Sequence, residues 1–257
     1  MLFILQSIMK GFMQKTVCLI FIMCLACLGI SYGQFSDSVH NQISFTGTGN
    51  YSKTNTGTTY LLNNSLAYKL RMKKAELNSV SGWIYGSSGD GLTNNDFTST
   101  MDFNIRKNTH RLYYWGLLNY TTSYSLKIKN QFQSGLGAAY KLWDEKTSWL
   151  NISDGFLFET SSIMESDTIR VNYSTFRNSL RLLFHYQFNK LVTLDANGMY
   201  QPSLEYGGDY LLNAGTKISI QLKSWLNLTS SLTYNKIGRT QKENFILAYG
   251  ITVNNFF

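Results

Sequence analysis

His185 is the side chain in this sequence whose type most readily does chemistry, and Arg181 lies four positions before it. A histidine that acts as a general base needs a nucleophile beside it and a third group that orients its ring. The residues around His185 alternate between apolar and polar types, and both His185 and Arg181 fall on the polar face. We predict a hydrogen-bonding histidine there and assign no catalytic residue.

The stretch GDGLTNND (89–96) carries oxygen ligands of the kind that calcium prefers, including Asp90 and Asp96. It lacks the terminal bidentate glutamate and the regular spacing of a calcium-binding loop. The three histidines of the chain are scattered along it. We therefore predict a solvated connection at 89–96, with no metal site and no cofactor.

Basic side chains recur near one end of the alternating stretches. The chain has 23 Lys and Arg against 15 Asp and Glu, a net charge of +8, but no basic run of the kind that marks nucleic-acid binders. Basic groups around one mouth of a cavity raise the local concentration of anions. The predicted basic cluster comprises Lys69, Arg71, Arg106, Lys141, Arg181, His185 and Lys217.

The elements that must position these residues have a period of two. Residues 60–72 place Tyr, Leu, Asn, Leu, Tyr, Leu and Met at every second position, and 176–188 and 210–222 repeat the pattern. The interleaved positions hold the charges, such as Lys69 and Lys217. Alternation of this kind gives each strand one apolar and one polar face.

Strand length separates the folds that this pattern allows. A β-sandwich or a lipocalin-like barrel would bury the apolar face, but strands of soluble sheets usually have about 5–6 residues. The stretches here extend over about ten to fifteen residues, and a tilted membrane strand needs about 9–11. Charged residues make up only 15% of the chain and aromatic residues also 15%. We predict an all-β fold, a transmembrane, antiparallel, up-and-down β-barrel.

About twelve strands are predicted, an even number that places both termini on the periplasmic side. Their centres lie near Phe45, Leu66, Val80, Met101, Leu117, Gly135, Phe156, Leu182, Ala196, Thr216, Leu228 and Tyr249. Long outer connections are predicted at 87–96, 161–172 and 201–209, and short inner turns at 73–74, 189–190 and 223–225. The tryptophans next to inner turns, Trp143, Trp149 and Trp225, are predicted to lie at the membrane interface. The phase of the strands over 112–121 and 149–160 stays open.

The first 33 residues have the pattern of a secretion signal. Lys10 and Lys15 precede a short apolar run, and small residues follow it before Gln34. We predict a signal peptide at 1–33 and a barrel domain at 34–257. The three cysteines all lie within 1–33, so the predicted mature chain has neither disulfides nor thiolate metal ligands.

The last strand ends the chain on an alternating apolar stretch, FILAYGITVNNFF (245–257). An exposed strand of this kind would pair with other chains, whereas in a closed barrel it pairs with the first strand and faces lipid. A terminal aromatic strand also resembles the signal that the outer-membrane assembly machinery recognises. The residues assigned to this signal are Phe245, Leu247, Tyr249, Ile251, Val253 and Phe257.

Three stretches carry a more specific resemblance: 111–142 with its paired-glycine strand GLGAAYKL, 177–188 (RNSLRLLFHYQF), and 207–234. Over roughly residues 40–257 the chain resembles the family of salt-induced outer-membrane proteins, a domain family of unknown function. The resemblance implies a small barrel in a Gram-negative outer membrane, and it brings no catalytic residues with it.

The lumen decides between the functions that remain. Barrels of about 8 strands are filled by side chains and those of about 16–18 hold channels, so twelve strands allow either. In a filled lumen Gly135 and Gly137 would leave room for bulky neighbours, and Asp102, Glu76 and Asp195 would pair with the basic groups. This favours a non-enzymatic outer-membrane barrel that is structural or accessory, or that has a narrow, mostly side-chain-filled lumen.

Two other functions stay open. A ring of basic groups would make a small-solute channel that prefers anions. A lipid-acting outer-membrane enzyme would need catalytic groups that face lipid. The expected partners are outer-membrane lipid and lipopolysaccharide, with the barrel assembly machinery during insertion, and no nucleic acid.

Overall fold

The fold is that of a computed structural model of the chain. It describes residues 40–54, 57–89, 91–106, 111–165, 168–189 and 191–257. The predicted signal peptide with its cysteines, Asp90 and the side chain of Arg106 lie outside the described part.

Within those ranges every regular element is a β-strand. The strands are β1 (Asn41–Thr54), β2 (Gly57–Arg71), β3 (Ala75–Ser88), β4 (Gly91–Arg106), β5 (Leu112–Ser123), β6 (Ile128–Asp144), β7 (Ser148–Met164), β8 (Arg170–Asn178), β9 (Leu180–Phe188), β10 (Val192–Pro202), β11 (Tyr210–Lys223), β12 (Leu226–Ile237) and β13 (Lys242–Phe256). None of the described segments forms a helix long and apolar enough to cross a membrane.

Strands β8 and β9 are two parts of one barrel strand. Both pair with β7 in a single register, in which Phe156 lies opposite Asn178 and Ser153 opposite Arg181. Between the two parts, Ser179 donates its N–H to the carbonyl of Gly155 at 2.8 Å. The described sheet therefore has twelve barrel strands, which confirms the predicted number.

The sheet closes where β1 pairs antiparallel with β13, with Thr46 opposite Thr252. At the end of this pair Asn41 and Phe257 exchange two backbone hydrogen bonds of 2.9 and 3.0 Å. We call the end of the barrel that contains Asn41 and Phe257 the terminal end, and the opposite one the distal end. Every neighbouring pair around the barrel is antiparallel, so the predicted fold class is confirmed.

Apolar side chains cover the outer face of the barrel. Phe45, Phe156 and Leu136 are 48, 62 and 70% exposed, as side chains that face lipid are. The residues of the predicted assembly signal share this face: Phe245, Leu247, Tyr249, Ile251 and Val253 alternate along the outside of β13, and Phe257 follows its end. The structure thus gives the chain a continuous apolar belt.

The structure shows which residues face the lumen and which face outward in the two stretches 112–121 and 149–160, whose alternation the sequence left open. In β5, Trp115 and Leu117 point into the lumen and are 3 and 8% exposed, while Leu118 lies outside at 48%. In β7, Phe156 and Phe158 lie outside, and the residues between and beside them point inward. Both strands carry large side chains on both faces, and for that reason their alternation was not visible in the sequence.

Two of the predicted long outer connections, 87–96 and 161–172, are wrong in their extent, whereas the third, predicted at 201–209, differs from the structure by two residues. Strands β3 and β4 run to within two residues of each other, at 89–90, and the other two connections have only residues 165–169 and 203–209. The polar residues beyond the apolar belt continue to pair their backbone N–H and C=O groups across the hairpins. The polar residues at these strand ends indicate contact with water, and they do not show where the chain turns.

Glycines in β6 and β7 make room for a tryptophan in the lumen, as predicted for Gly135 and Gly137. A Cβ added at Gly137 would lie 2.5 Å from Cζ2 of Trp115, and one at Gly155 would lie 2.6 Å from the same atom. At Gly135 an added Cβ would meet the side chain of Leu157. An added Cβ would also meet a backbone carbonyl of β7, that of Asp154 at Gly137 or that of Phe156 at Gly135, so the close approach of β6 to β7 requires glycine as well.

Replacing Gly137 by alanine should therefore lower the free energy of unfolding by about 1–3 kcal/mol, the usual cost of overpacking. The measurement is a urea titration of the refolded protein in phospholipid vesicles. Gly198→Ala is the matched control, because a Cβ added at Gly198 meets nothing within 4 Å. Equal stability of the two variants would contradict the packing described for Trp115.

Asp154 is a charged residue on the outer face. It is exposed, lies opposite Ala138, and falls between Ile152 and Phe156 on the lipid-facing side of β7. Its Oδ1 accepts a hydrogen bond of 2.8 Å from Nδ2 of Asn178. A carboxylate on the lipid-facing wall of a barrel is destabilising, so the barrel tolerates an unfavourable group at this point.

The variant Asp154→Asn keeps an acceptor for Asn178 and removes the charge. Because acidic residues on a lipid face cost less than Lys or Arg, we expect the variant to be more stable by about 1 kcal/mol. The same urea titration measures it. Asp195→Asn, which removes a carboxylate inside the lumen, should give no gain, and a gain of similar size there would show that the effect is not due to lipid.

Candidate functional site: the barrel lumen

The lumen is the candidate functional site because it collects the polar faces of all the strands. The predicted basic residues with described side chains line it: Lys69 and Arg71 from β2, Lys141 from β6, Arg181 and His185 from β9, and Lys217 from β11. Arg106 lies at the end of β4. The basic residues therefore come from strands on several sides of the barrel.

Acidic side chains compensate much of this charge. The closest pairs are Lys69–Glu76 at 3.1 Å, and Lys141–Asp144, Arg181–Asp102 and His185–Asp195, each at 2.7 Å. The expected acidic partners Asp102, Glu76 and Asp195 each take part in one pair. Four of the seven predicted basic residues thus form local ion pairs and do not contribute to a free ring of positive charge.

The pair between Arg181 and Asp102 spans the lumen. Their strands, β9 and β4, are not neighbours in the sheet, so the side chains meet across the interior. The guanidinium of Arg181 also lies over the ring of Trp115, 4.7 Å from its centroid. Nε and Nη1 of Arg181, Oδ1 of Asp102 and Nε1 of Trp115 are buried and have no hydrogen-bond partner among the described residues.

His185 has an orienting group but faces the lumen. Its Nδ1 is 2.7 Å from Oδ1 of Asp195, and its ring stacks on Trp149 with centroids 5.4 Å apart. Trp149 therefore points inward, and its predicted place at the membrane interface is wrong. The sequence showed only that Trp149 adjoins a turn, and adjacency to a turn does not distinguish the two faces of a strand.

A buried charged cluster in the distal half was not identified from the sequence. Arg177 of β8 and Glu159 of β7 are both 0% exposed and are joined by two hydrogen bonds of 2.7 and 3.0 Å. Arg177 also donates to Oδ1 of Asp209 at 2.9 Å, and Glu159 accepts from Gln133 and Tyr173. The available signal was that Glu159 and Arg177 each directly follow an outward phenylalanine, Phe158 and Phe176, on strands that pair with each other.

Arg239, in the turn between β12 and β13, ties three distal connections together. Its guanidinium binds Glu165 at 3.2 Å and Asp209 at 3.3 Å, and it lies over the rings of Tyr173 and Tyr206. Asp209, the last residue of the 203–209 connection, is only 4% exposed, whereas residues 204–208 are exposed. Glu165 and Asp209 therefore share one cationic partner, Arg239.

An apolar cluster lies beside these charges at the distal end. It consists of Leu126, Ile128, Ile163, Leu211 and Ile237, with Tyr173 packed against it. Leu126 belongs to the β5–β6 turn, whereas Leu211 and Ile237 belong to strands on the far side of the barrel. Next to this contact, Asn244 of β13 donates a 2.9 Å hydrogen bond to Ser125 of the same turn. We call this set the distal apolar cluster.

The lumen is therefore filled unevenly along its axis. Inward side chains near the distal end are buried, as shown by Asp96 at 8% and Ile246 at 6% exposed. A cavity of about 310 Å³ adjoins the distal apolar cluster, and Leu126, Ile128, Leu211 and Ile237 form part of its lining. At the terminal end the lumen widens into a vestibule of about 890 Å³, where Val80 points inward and is still 44% exposed.

In the part of the chain that the structure describes, no three His, Cys, Asp or Glu side chains are grouped so that they could hold a metal ion. Asp102, Glu76, Asp195 and Glu159 are instead paired with Lys, Arg or His, and Asp96 accepts hydrogen bonds from Asn94, Ser123 and Ser125. Lumen chemistry in the described residues consists of ion pairs, amides and hydroxyls.

Strand number, closure and the apolar outer belt define a membrane-spanning β-barrel of the outer-membrane type. The family described as "Protein of unknown function, DUF481" matches residues 37–245, and the chain belongs to this family. None of the curated proteins compared with the chain matches it.

Solved barrels share the fold at low identity. An outer-membrane channel from Pseudomonas putida F1 is 15% identical, with a TM-score of 0.51 over 89% of this chain and 100% of the channel. The NanC porin is 8% identical, with a TM-score of 0.51 over 83% and 99% of the two chains. The translocator domain of the autotransporter NalP from Neisseria meningitidis is 13% identical, with a TM-score of 0.46 over 96% and 95%.

Arg177→Met should test the buried charged cluster. The variant leaves Glu159 and Asp209 without their shared cation, and breaking a buried ion pair in this way costs about 3–5 kcal/mol of unfolding free energy. The triple variant Arg177→Met/Glu159→Gln/Asp209→Asn removes all three charges and should regain most of the loss. The measurement is the urea midpoint in vesicles, and a single variant as stable as the wild type would contradict the assigned role.

Proposed function

We propose that the protein is a non-enzymatic barrel of the outer membrane whose lumen is closed at the distal end by its own side chains. The observation that carries the proposal is the distal apolar cluster, in which Leu126, Ile128 and Ile163 from one wall pack with Leu211 and Ile237 from the far wall. Apolar side chains packed across a lumen exclude water and ions from that section. The buried Arg177 cluster beside it fills the adjoining part.

The orientation follows from the strand number and the termini. With twelve strands both termini lie at one end, which faces the periplasm in barrels of this class. The vestibule at the terminal end would then open to the periplasm and the closed distal end would face the outside. The apolar belt supplies the contact with outer-membrane lipid, and the outer face of β13 is our proposed recognition site for the assembly machinery.

The charges favour this proposal over an anion-preferring channel. Selectivity would need uncompensated positive charge along a continuous passage, whereas four of the basic residues have carboxylate partners. The lipid-acting enzyme is also less favoured, because His185 and Asp195 face the vestibule and not lipid.

Single-channel recording in a planar bilayer tests the closed lumen. We expect no conductance steps from folded wild-type protein, and steps from Leu126→Ser/Ile237→Ser, because two hydroxyls in the distal apolar cluster allow that section to hydrate. Folding is checked by the change in gel migration on boiling.

Leu204→Ser is the control for this experiment. Leu204 lies in a distal connection and is 56% exposed, outside the cluster, so its variant should stay silent. Stable steps from the wild type would overturn the proposal in favour of a channel, and silence of the double variant would place the closure elsewhere in the lumen.

A further inference from the structure

The vestibule at the terminal end has the dimensions and lining of a ligand site. Its volume of about 890 Å³ falls within the range of small-molecule sites, about 300–1,000 Å³. Amide side chains project into it from opposite walls, including Gln42, Gln187, Gln221, Asn78, Asn227 and Asn254. These groups both donate and accept hydrogen bonds, as recognition of a polar solute requires.

Three lysines reach this cavity from separate parts of the wall. Lys69 lies in β2, Lys217 in β11, and Lys146 in the turn between β6 and β7. Among the described residues that line the vestibule the one acid is Asp195, and its carboxylate binds His185 at 2.7 Å. The lining therefore carries an excess of positive charge.

Two of these lysines differ from the rest of the basic cluster. Lys69 has Glu76 at 3.1 Å, but the ammonium groups of Lys146 and Lys217 form no ion pair or hydrogen bond with any residue that the structure describes. Asp195 lies opposite Lys217 in the β10–β11 register, yet its bond is to His185. Positive groups in a concave, low-dielectric cavity add their fields and attract anions.

We propose that the vestibule binds small solutes that carry two or more carboxylate or phosphate groups, with Lys217 and Lys146 as the cationic contacts. One anionic group of the solute binds at each lysine, and the amides hydrogen-bond the part between them. A single charge would meet only one of the lysines, so monovalent anions bind weakly. The inference rests on the proposed function in one respect: the solute would arrive from the periplasm. Binding itself does not depend on the proposed function.

Isothermal titration of the folded full chain in detergent micelles tests the proposal at low ionic strength. The probes are citrate and pyrophosphate, with chloride and glycerol as the monovalent and neutral comparisons. We expect saturable binding of citrate, pyrophosphate or both. Lys217→Gln and Lys146→Gln should each weaken it about tenfold, the loss expected for one charge-assisted contact. Lys236→Gln is the matched control, because Lys236 lies near the distal end and pairs with Glu243.

Several outcomes overturn the inference. Absence of saturable heat from folded wild-type protein would do so, as would equal loss of binding in Lys236→Gln or equal binding of chloride. Binding by a wild type that also conducts would overturn the closed lumen alone. Silence in the bilayer without binding would overturn the vestibule site alone.

Discussion

Backbone hydrogen bonding between the first and last strands is the constraint on which the rest of the barrel depends. In hydrocarbon each unpaired N–H or C=O costs several kcal/mol, so a sheet can cross a membrane only when it has no edge. The pairing of β1 with β13, completed by the exchange between Asn41 and Phe257, removes both edges at once. An even strand number, adjacent termini and one outward apolar face all follow from that closure.

Closure also creates an interior that side chains must fill or leave to water. In this barrel the part filled by side chains and the part open to water lie at different heights along the barrel axis. In the distal half the Arg177 cluster and the apolar contacts of Leu126 occupy the space, and at mid-height Trp115 lies against the glycines of β6 and β7. In the terminal half amides and lysines line a wide vestibule. One lumen therefore combines the packing of a soluble core with the lining of a polar cavity.

The architecture could be read from the sequence because lipid and lumen impose opposite polarities on alternate residues. The strand number, the outer face of β13 and the space left by Gly135 and Gly137 follow from that rule. The alternation of polarity does not predict contacts between side chains of strands that are not neighbours in the barrel. The bonds from Arg177 to Glu159 and Asp209, and the pair formed by Arg181 and Asp102, depend on barrel curvature and side-chain reach. Asp154 was missed because it violates the rule itself.

The bridge from Arg181 to Asp102 has a further consequence for assembly. β9 and β4 come within reach of each other only when the barrel is closed, so this contact depends on the arrangement of all twelve strands. A slip of one residue in β4 would turn Asp102 from the interior toward lipid and leave the guanidinium without its anion. A barrel with β4 out of register would thus carry two uncompensated charges. The ion pair between Arg181 and Asp102 therefore stabilises the correct register against this alternative.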